Sequence, residues 1–427
     1  MSEIRTEPVP YKTWGEENIE PGAREQMKHA AELPVSVQGA LMPDAHQGYG
    51  LPIGGVLATR GAVIPYAVGV DIACRMKMSI LAVEPYEFDK KRDKFRKALE
   101  NHTLFGAGKK FQVAHEHEVM DDSLWDEDGF IRSMKDTAWE QLGSSGSGNH
   151  FVEFGILTVR KEIEGESLTE GEGSQSFGTI APGYYVALLS HSGSRGFGYN
   201  VANHFTKIAM NQHLNLPKAY QHLAWLDLDS EEGLRYWQAM NLAGRYASAN
   251  HAVIHHQIID ALRYDVAGGV ENHHNFAWKE THNGEEVFVH RKGATPAGEG
   301  VYGVIPGSMT APGYVVRGKG NPDSLSSAAH GAGRRMSRSE AFKRFDWNEV
   351  HDQLRRDGVE LLSGGLDETP GAYKDIRVVM KAQEDLVDVV AEFQPMIVKM
   401  DAGKKDRAKD RRDREKNKTE YKKKRRR

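Results

Sequence analysis

Four apolar runs have the length and content of buried strands: Ala62 to Val68, Phe151 to Val159, Tyr184 to Ser190 and Glu286 to Val289. Short runs rich in β-branched and aromatic residues, with glycine close by, fit strands better than helices. Helical spacing is found instead from Glu231 to Leu262. There Leu234 and Trp237 open an apolar face that Tyr246, Val253, Ile254, Ile258 and Leu262 continue, and Gly233 and Gly244 are weak points where it can break in two. Gly268 and Gly269 are expected to close that unit. Lys90 to Glu100 reads as a charged surface helix, and Leu386, Val389, Val390 and Phe393 mark one apolar face of a last helix. Residues 1–35 form a polar entry, and Glu162 to Ser176 reads as an exposed, Gly/Glu/Ser-rich excursion.

Between these elements lie loops of small residues. Pro43 to Val56, Gln141 to His150, His191 to Gly198, Val304 to Thr310 and Ser327 to Arg338 are dense in Gly, Ser or Pro. Such loops bring backbone N–H groups close to a ligand and suit phosphate. Histidines recur beside the predicted strands: His150 before one, His191 and His290 after two others. A single histidine so placed is most often structural; a repeated placement favours ligands. Asp44 and His46 can touch a site, but fit a turn and a structural hydrogen bond equally well. His251 and His255 are an i, i+4 pair, yet no acid lies one turn from both, so they read as surface or packing residues. His330 opens a glycine turn with Arg334, Arg335 and Arg338 behind it. A neutral imidazole in such a setting can attack a phosphoryl group.

Cys74 is the chain's sole cysteine, three positions after Asp71. It cannot form an internal disulfide, and a thiolate beside a carboxylate is repelled unless a cation sits between them. Asp-x-x-Cys is therefore a candidate metal corner. Taken alone, it fits a small buried thiol and a turn residue just as well. Soft thiolate with imidazole suits a transition metal. Ligands scattered from Asp71 to His274 can meet only in the fold, which points to a catalytic site rather than a structural clip. No Walker loop or dinucleotide fingerprint is present.

Composition adds little except at the C-terminus. The profile is that of a globular protein, 39% hydrophobic and 27% charged. The single cysteine fits a reducing compartment, and without a signal-peptide core or spanning run the expected location is the cytoplasm. The net charge of −4 hides 15 Lys/Arg and 5 Asp/Glu between Lys404 and Arg427. That basic tail is expected to be disordered and able to attract phosphate backbones. No domain boundary is evident before residue 400.

Taken together and in order, several stretches carry a resemblance: PDAHQGYGLPIGGV (43–56), VGVDIAC (68–74), GSGNHFVE (146–153), HSGSRG (191–196), HN (274–275), VHRKGAT (289–295), IPGSM (305–309), AHGAGR (329–334) and PGAYKDI (370–376). The chain resembles the RtcB family of GTP-dependent RNA ligases over residues 35–400. The resemblance implies one compact α+β domain over 1–400, with central sheets surrounded by helices, followed by the tail 401–427. It implies that Cys74 bridges two Mn²⁺ ions, with Asp71, His150, His191 and His274 completing the set. His330 would take GMP from GTP. Asn149, His150, Phe151, Val152, Glu153, His274, Asn275, Pro306, Gly307, Ser308, Met309, His330, Gly331, Ala332, Gly333, Tyr373 and Lys399 would surround the nucleotide. The implied substrate is RNA with a 3′-phosphate or 2′,3′-cyclic phosphate and a 5′-hydroxyl end, in RNA repair or tRNA splicing, and an archease is an implied helper.

Three departures from the family pattern stand out. Ala73 precedes the cysteine where Asn or Gly is usual, Arg75 follows it where Gly is usual, and Thr310-Ala311-Pro312-Gly313 replaces a stretch that supplies a nucleotide-binding serine. The basic tail is the third. They suggest a divergent paralogue. Alternative activities are GMP capping of 3′-phosphate ends without sealing, a cyclic phosphodiesterase that no longer uses GTP, and nucleic-acid binding by a degraded site.

Overall fold

A curled sheet of nine strands forms the centre of the molecule in the computed structural model, which describes residues 4–165, 174–403 and 406. Its neighbours run in the order Tyr302–Ile305, Gly313–Gly318, Val387–Met400, Phe151–Val159, Gly183–Ser192, Arg75–Leu81, Val266–His273 and Ser174–Phe177, with Glu360–Ser363 paired to Val387–Met400. The curl brings the first strand back towards the seventh. There Asn272 bridges them: its Oδ1 accepts the Val304 N–H at 2.8 Å, and its Nδ2 donates to Thr295 Oγ1 at 2.7 Å. The sheet is thus nearly closed, and a buried amide satisfies the edge that would otherwise lack partners. A second sheet joins Tyr11–Thr13, Ser36–His46, Ile53–Thr59, Glu285–Lys292 and Asn275–His282. The chain passes from the first sheet to the second at His274, between Val266–His273 and Asn275–His282.

The α+β class is as expected, and the strands at 151–159, 183–192 and 285–292 match their apolar runs. Four details differ. Ala62 to Val68 is not one strand: Ala62–Val63 pairs briefly, and Pro65 at the first helical position starts a turn of helix, Pro65–Val68. Glu231–Leu262 is one unbroken 32-residue helix, capped by Ser230, because packing along its buried face outweighs two glycines; Leu234 is exposed and Tyr236 fills the core instead. Gly268 and Gly269 lie inside the strand Val266–His273 rather than ending a unit.

The fourth difference is Val387–Met400, which is a central strand, not a helix. Its helical-looking spacing arises because the pairing is irregular at Val390, where Val389 and Ala391 oppose successive residues of Gly313–Gly318, so that Val390 and Ala391 are both buried and the alternation is broken. Pro395 inside it is accommodated at an irregularity in the pairing with Phe151–Val159.

His251 and His255 belong to the core. Both face Ser190, whose Oγ lies 2.8 Å from a nitrogen of each, and His255 also meets Ser79. His290 is likewise structural, its Nε2 accepting the Ile64 N–H at 2.9 Å. Among the described residues no helix is long and apolar enough to cross a membrane. The basic tail beyond Asp406, and residues 166–173 of the 162–176 excursion, lie outside the described residues.

Candidate active site

Register explains why residues distant in sequence meet. In the central sheet His191 pairs with Phe151 on one side and Met76 on the other, and Arg75 pairs with His273. Four adjacent strands therefore present His150, His191, Cys74 and His274 at the same end of the sheet. Backbone bonds clamp the turn before the third strand: Ala73 N–H to Asn275 O at 2.7 Å, Cys74 N–H to Asp71 O at 3.1 Å and His274 N–H to Cys74 O at 3.0 Å. Cys74 thus precedes its strand rather than ending one.

The side chains converge. Cys74 Sγ lies 3.4 Å from His150 Nε2 and 3.1 Å from His191 Nε2, and His191 Nε2 lies 3.2 Å from His274 Nε2. Asp71 Oδ2 is 3.0 Å from His150 Nε2. Two ligand groups result, Cys74 with His191 and His274, and Asp71 with Cys74 and His150, so the thiol belongs to both. The Nδ1–H of His191 donates to Asn149 O at 3.1 Å, which leaves Nε2 as a lone pair aimed at the cluster. His150 Nδ1 meets Ser145 O at 3.1 Å and Arg195 at 3.0 Å. Gly193 makes room for Asp71, since a Cβ there would lie 2.3 Å from Oδ1.

Electrostatics favour ligation. Burial, then the charge of His150, pushes His191 down to about 3; burial and Arg195 lower His150, and burial and His330 lower His274 far below the usual range. All three are neutral at physiological pH, the form that binds metal. Burial opposes ionisation of Asp71, but its hydrogen bond to His150 and the Arg195 charge prevail and keep it a carboxylate. Burial, then Asp71, holds the Cys74 thiol well above its ordinary value. A cation between them would reverse that repulsion, so the donor set fits transition-metal ions.

Beside the cluster stands His330, its ring centroid 4.9 Å from that of His274. It follows the short strand Ser327–Ala329, and its Nδ1 lies 2.7 Å from Asp44 Oδ2, which also accepts the His330 backbone N–H at 3.2 Å. Asp44 is fully buried at the end of Ser36–His46. An Nδ1–H donated to it leaves Nε2 free as a nucleophile. Gly333, at φ 70°, crosses the Asp44 backbone so closely that a Cβ would lie 2.0 Å from its carbonyl oxygen.

Cluster and histidine line one cavity of about 360 Å³, with Asn149, Phe151, Glu153, Asn275, Pro306–Met309 and Gly331–Gly333 on its walls. Arg334, Arg338, Glu368 and Tyr373 close one side. Tyr373 donates to Glu368, which also holds Arg338 and lies 3.4 Å from Arg334. Burial alone pushes the Glu153 carboxyl well above the usual carboxylate range. Lys292, pushed by burial down to about 7, adds a cation that titrates near neutrality.

The family profile described as tRNA-splicing ligase RtcB matches residues 26–401. The chain belongs to the RtcB family. The RNA-splicing ligase RtcB of Escherichia coli K12 is 34% identical over 92% of this chain and 98% of its own length. The tRNA-splicing ligases RtcB of Methanococcus maripaludis and Thermococcus kodakarensis are each 30% identical, over 89% and 87% of this chain and 92% and 89% of their own lengths.

Two residues expected around the nucleotide lie elsewhere. Val152 and Lys399 are cross-strand partners on the far face of the sheet, because alternate residues of a strand point to opposite sides. Val152 packs with Phe154 in the core, and Lys399 donates to Leu99 O and Glu100 O, both at 2.9 Å. Their neighbours Phe151, Glu153, Val398 and Met400 face the cavity. Sequence reasoning undervalued Asp44, whose distance from His330 in the chain hid the pairing, and missed Arg195 and Glu368. The glycine-rich stretch around Asp44 was the available signal.

Proposed function

We propose that this protein is a GTP-dependent RNA ligase that joins a 3′-phosphate, or a 2′,3′-cyclic phosphate after its hydrolysis, to a 5′-hydroxyl through a guanylylated His330. The observation that carries this is His330, held at Nδ1 by buried Asp44, facing a thiol-centred ligand cluster within one cavity. A nucleophilic histidine needs one nitrogen unprotonated and oriented, and an ionic hydrogen bond on the other nitrogen supplies both.

His330 Nε2 attacks the α-phosphorus of GTP, the bond to the β-phosphate oxygen breaks, and pyrophosphate leaves. An oxygen of the RNA 3′-phosphate then takes the guanylyl group, and His330 departs as neutral imidazole. The 5′-hydroxyl oxygen attacks the capped 3′-phosphorus, GMP leaves, and the hydroxyl proton is released. Each transfer replaces one hard joining step by easier ones. Asp71, Cys74 and His150 would hold one Mn²⁺, and Cys74, His191 and His274 the other. Bound metals would supply Lewis-acid polarisation of phosphate oxygens. Arg334, Arg338 and Lys292 line the cavity and would offer cations to phosphates, and Glu153, also on its wall, would meet the base.

Incubation with α-labelled GTP and Mn²⁺ tests this. Label on the protein, acid-labile, base-stable and absent from His330→Ala, is expected. RNA bearing 3′-phosphate and 5′-hydroxyl ends should then be sealed. No label with any divalent metal overturns the proposal, and capped but unsealed RNA restricts it to capping.

A further inference from the structure

Outside the cavity, but joined to its lining residues Lys292 and Gly69, lies an aromatic patch that the steps above leave unused. Tyr49, on the glycine-rich turn, is 67% exposed, and Tyr199, on the helix Arg195–Gln212, is 55% exposed. Tyr66 is half-buried on the turn of helix Pro65–Val68. The rings of Tyr49 and Tyr66 stand 6.3 Å apart, nearly edge to face, and His222 packs against both at 5.6 and 4.9 Å. The turn of helix bearing Tyr66 packs against the helix bearing Tyr199.

Each ring is tied to the reacting centre. Lys292, which lines the cavity, donates its Nζ proton to the Tyr49 carbonyl and lies 5.6 Å from the Tyr66 ring centre. Gly69 ends the Tyr66 helix and, with Val70 and Asp71, lines the cavity. Arg195 opens the Tyr199 helix and reaches Asp71 and His150. The turn bearing Tyr49 is itself fixed. Gly50, at φ 68°, sits so close to the His222 backbone that a Cβ would come within 2.5 Å of its carbonyl oxygen.

Large aromatic rings exposed in a fixed cluster, with a cation among them, have the composition of a base-stacking surface. Glu153 and Tyr373, which the reading above assigns to the nucleotide, line the cavity itself, whereas the three tyrosines are not among its lining residues. We propose that Tyr49, Tyr66 and Tyr199 form a stacking platform for the nucleobase next to the RNA end that reacts at the cluster. This rests on the ligase reading above. It adds that the enzyme grips its substrate by the terminal base, through ring faces that accept any base, rather than by phosphates alone.

Binding tests it directly. The probes are short fluorescent RNAs ending in a 3′-phosphate or a 5′-hydroxyl, each with either a normal or an abasic terminal nucleotide, titrated by anisotropy into full-length protein. Tyr49→Ala and Tyr199→Ala should each weaken binding of base-bearing RNA about 5- to 150-fold. They should leave abasic RNA binding unchanged, and Tyr49→Phe should restore the loss. The probe that shows the difference identifies which end is gripped. Equal losses on normal and abasic RNA, or no loss in either variant, overturn the platform. Labelling of wild-type protein by α-labelled GTP tests the ligase reading separately, so the two can fail independently.

Discussion

Replacing Asp44 by asparagine removes a charge and little else, which makes it a sharp probe of His330. Asp44 Oδ2 accepts from Nδ1 at 2.7 Å and from the backbone N–H of the same residue at 3.2 Å. Its other oxygen is buried with no hydrogen-bond partner among the described residues, so nothing else compensates. A hydrogen bond to a charged group is worth roughly 1.5–3 kcal/mol, which corresponds to about 10- to 150-fold in rate. That is the loss if the asparagine oxygen takes over the Nδ1–H. If its amide nitrogen faces the ring instead, the proton moves to Nε2 and the nucleophilic lone pair is lost, so the defect is larger. Single-turnover labelling by α-labelled GTP at saturation reads the step, and a thermal melt separates it from unfolding. A folded Asp44→Asn protein labelled at the wild-type rate would refute the positioning role.

Other variants probe the site and the scaffold. Cys74→Ala should lose both metals, because the thiol belongs to each ligand group; atomic spectroscopy that finds two ions bound as tightly as in wild type would contradict this. Lys399→Ala should leave the GTP concentration dependence of labelling unchanged, since its ammonium faces Leu99 and Glu100; a raised requirement for GTP would show that the side chain swings into the cavity. His290 contributes to acid sensitivity. Burial lowers it to about 4, and it accepts from Ile64 N–H while Nδ1 donates to carbonyls, so a second proton has no place. Its folded value lies below the unfolded value of about 6.5, so its contribution is complete above pH 6.5 and declines as pH falls towards 4, by on the order of 3 kcal/mol. His290→Gln should flatten stability against pH over that window in denaturant titrations, and an unchanged slope would count against the assignment.

How far the sequence reveals this molecule depends on range. His150 and His191 could be suspected because each sits beside an apolar run, and the strand pattern carries their placement. Asp44 could not be chosen over a turn residue, because its partner is 286 positions away and only the fold joins them. Lys399 shows the reverse error. It lies next to residues that face the cavity, but a strand alternates its faces, and a register invisible in one sequence decides which face it takes. Val387–Met400 misled for a related reason. The irregular pairing at Val390 interrupts the alternation that distinguishes a strand, and the chance spacing of Leu386, Val389, Val390 and Phe393 then imitates a helix.

Ala73 and Arg75, the residues that depart from the family pattern beside the cysteine, are explained by each other. Ala73 adopts φ 55°, a left-handed conformation that costs a residue with a Cβ roughly 1–2 kcal/mol and that glycine takes freely. Arg75 straps that turn down. Its guanidinium is buried, reaches back to Ala73 O and to Gly244 O at 3.1 Å, and pairs with Glu271. Lys77 joins the same carboxylate, and with Arg75 it keeps Glu271 ionised despite burial. Removing one partner would leave an uncompensated charge in the interior, at a cost of about 3–5 kcal/mol, so the network ties the turn to the neighbouring strand. Glu271 lies three residues before His274 on the neighbouring strand. The ion pair that secures the Cys74 turn therefore also fixes the strand that delivers His274.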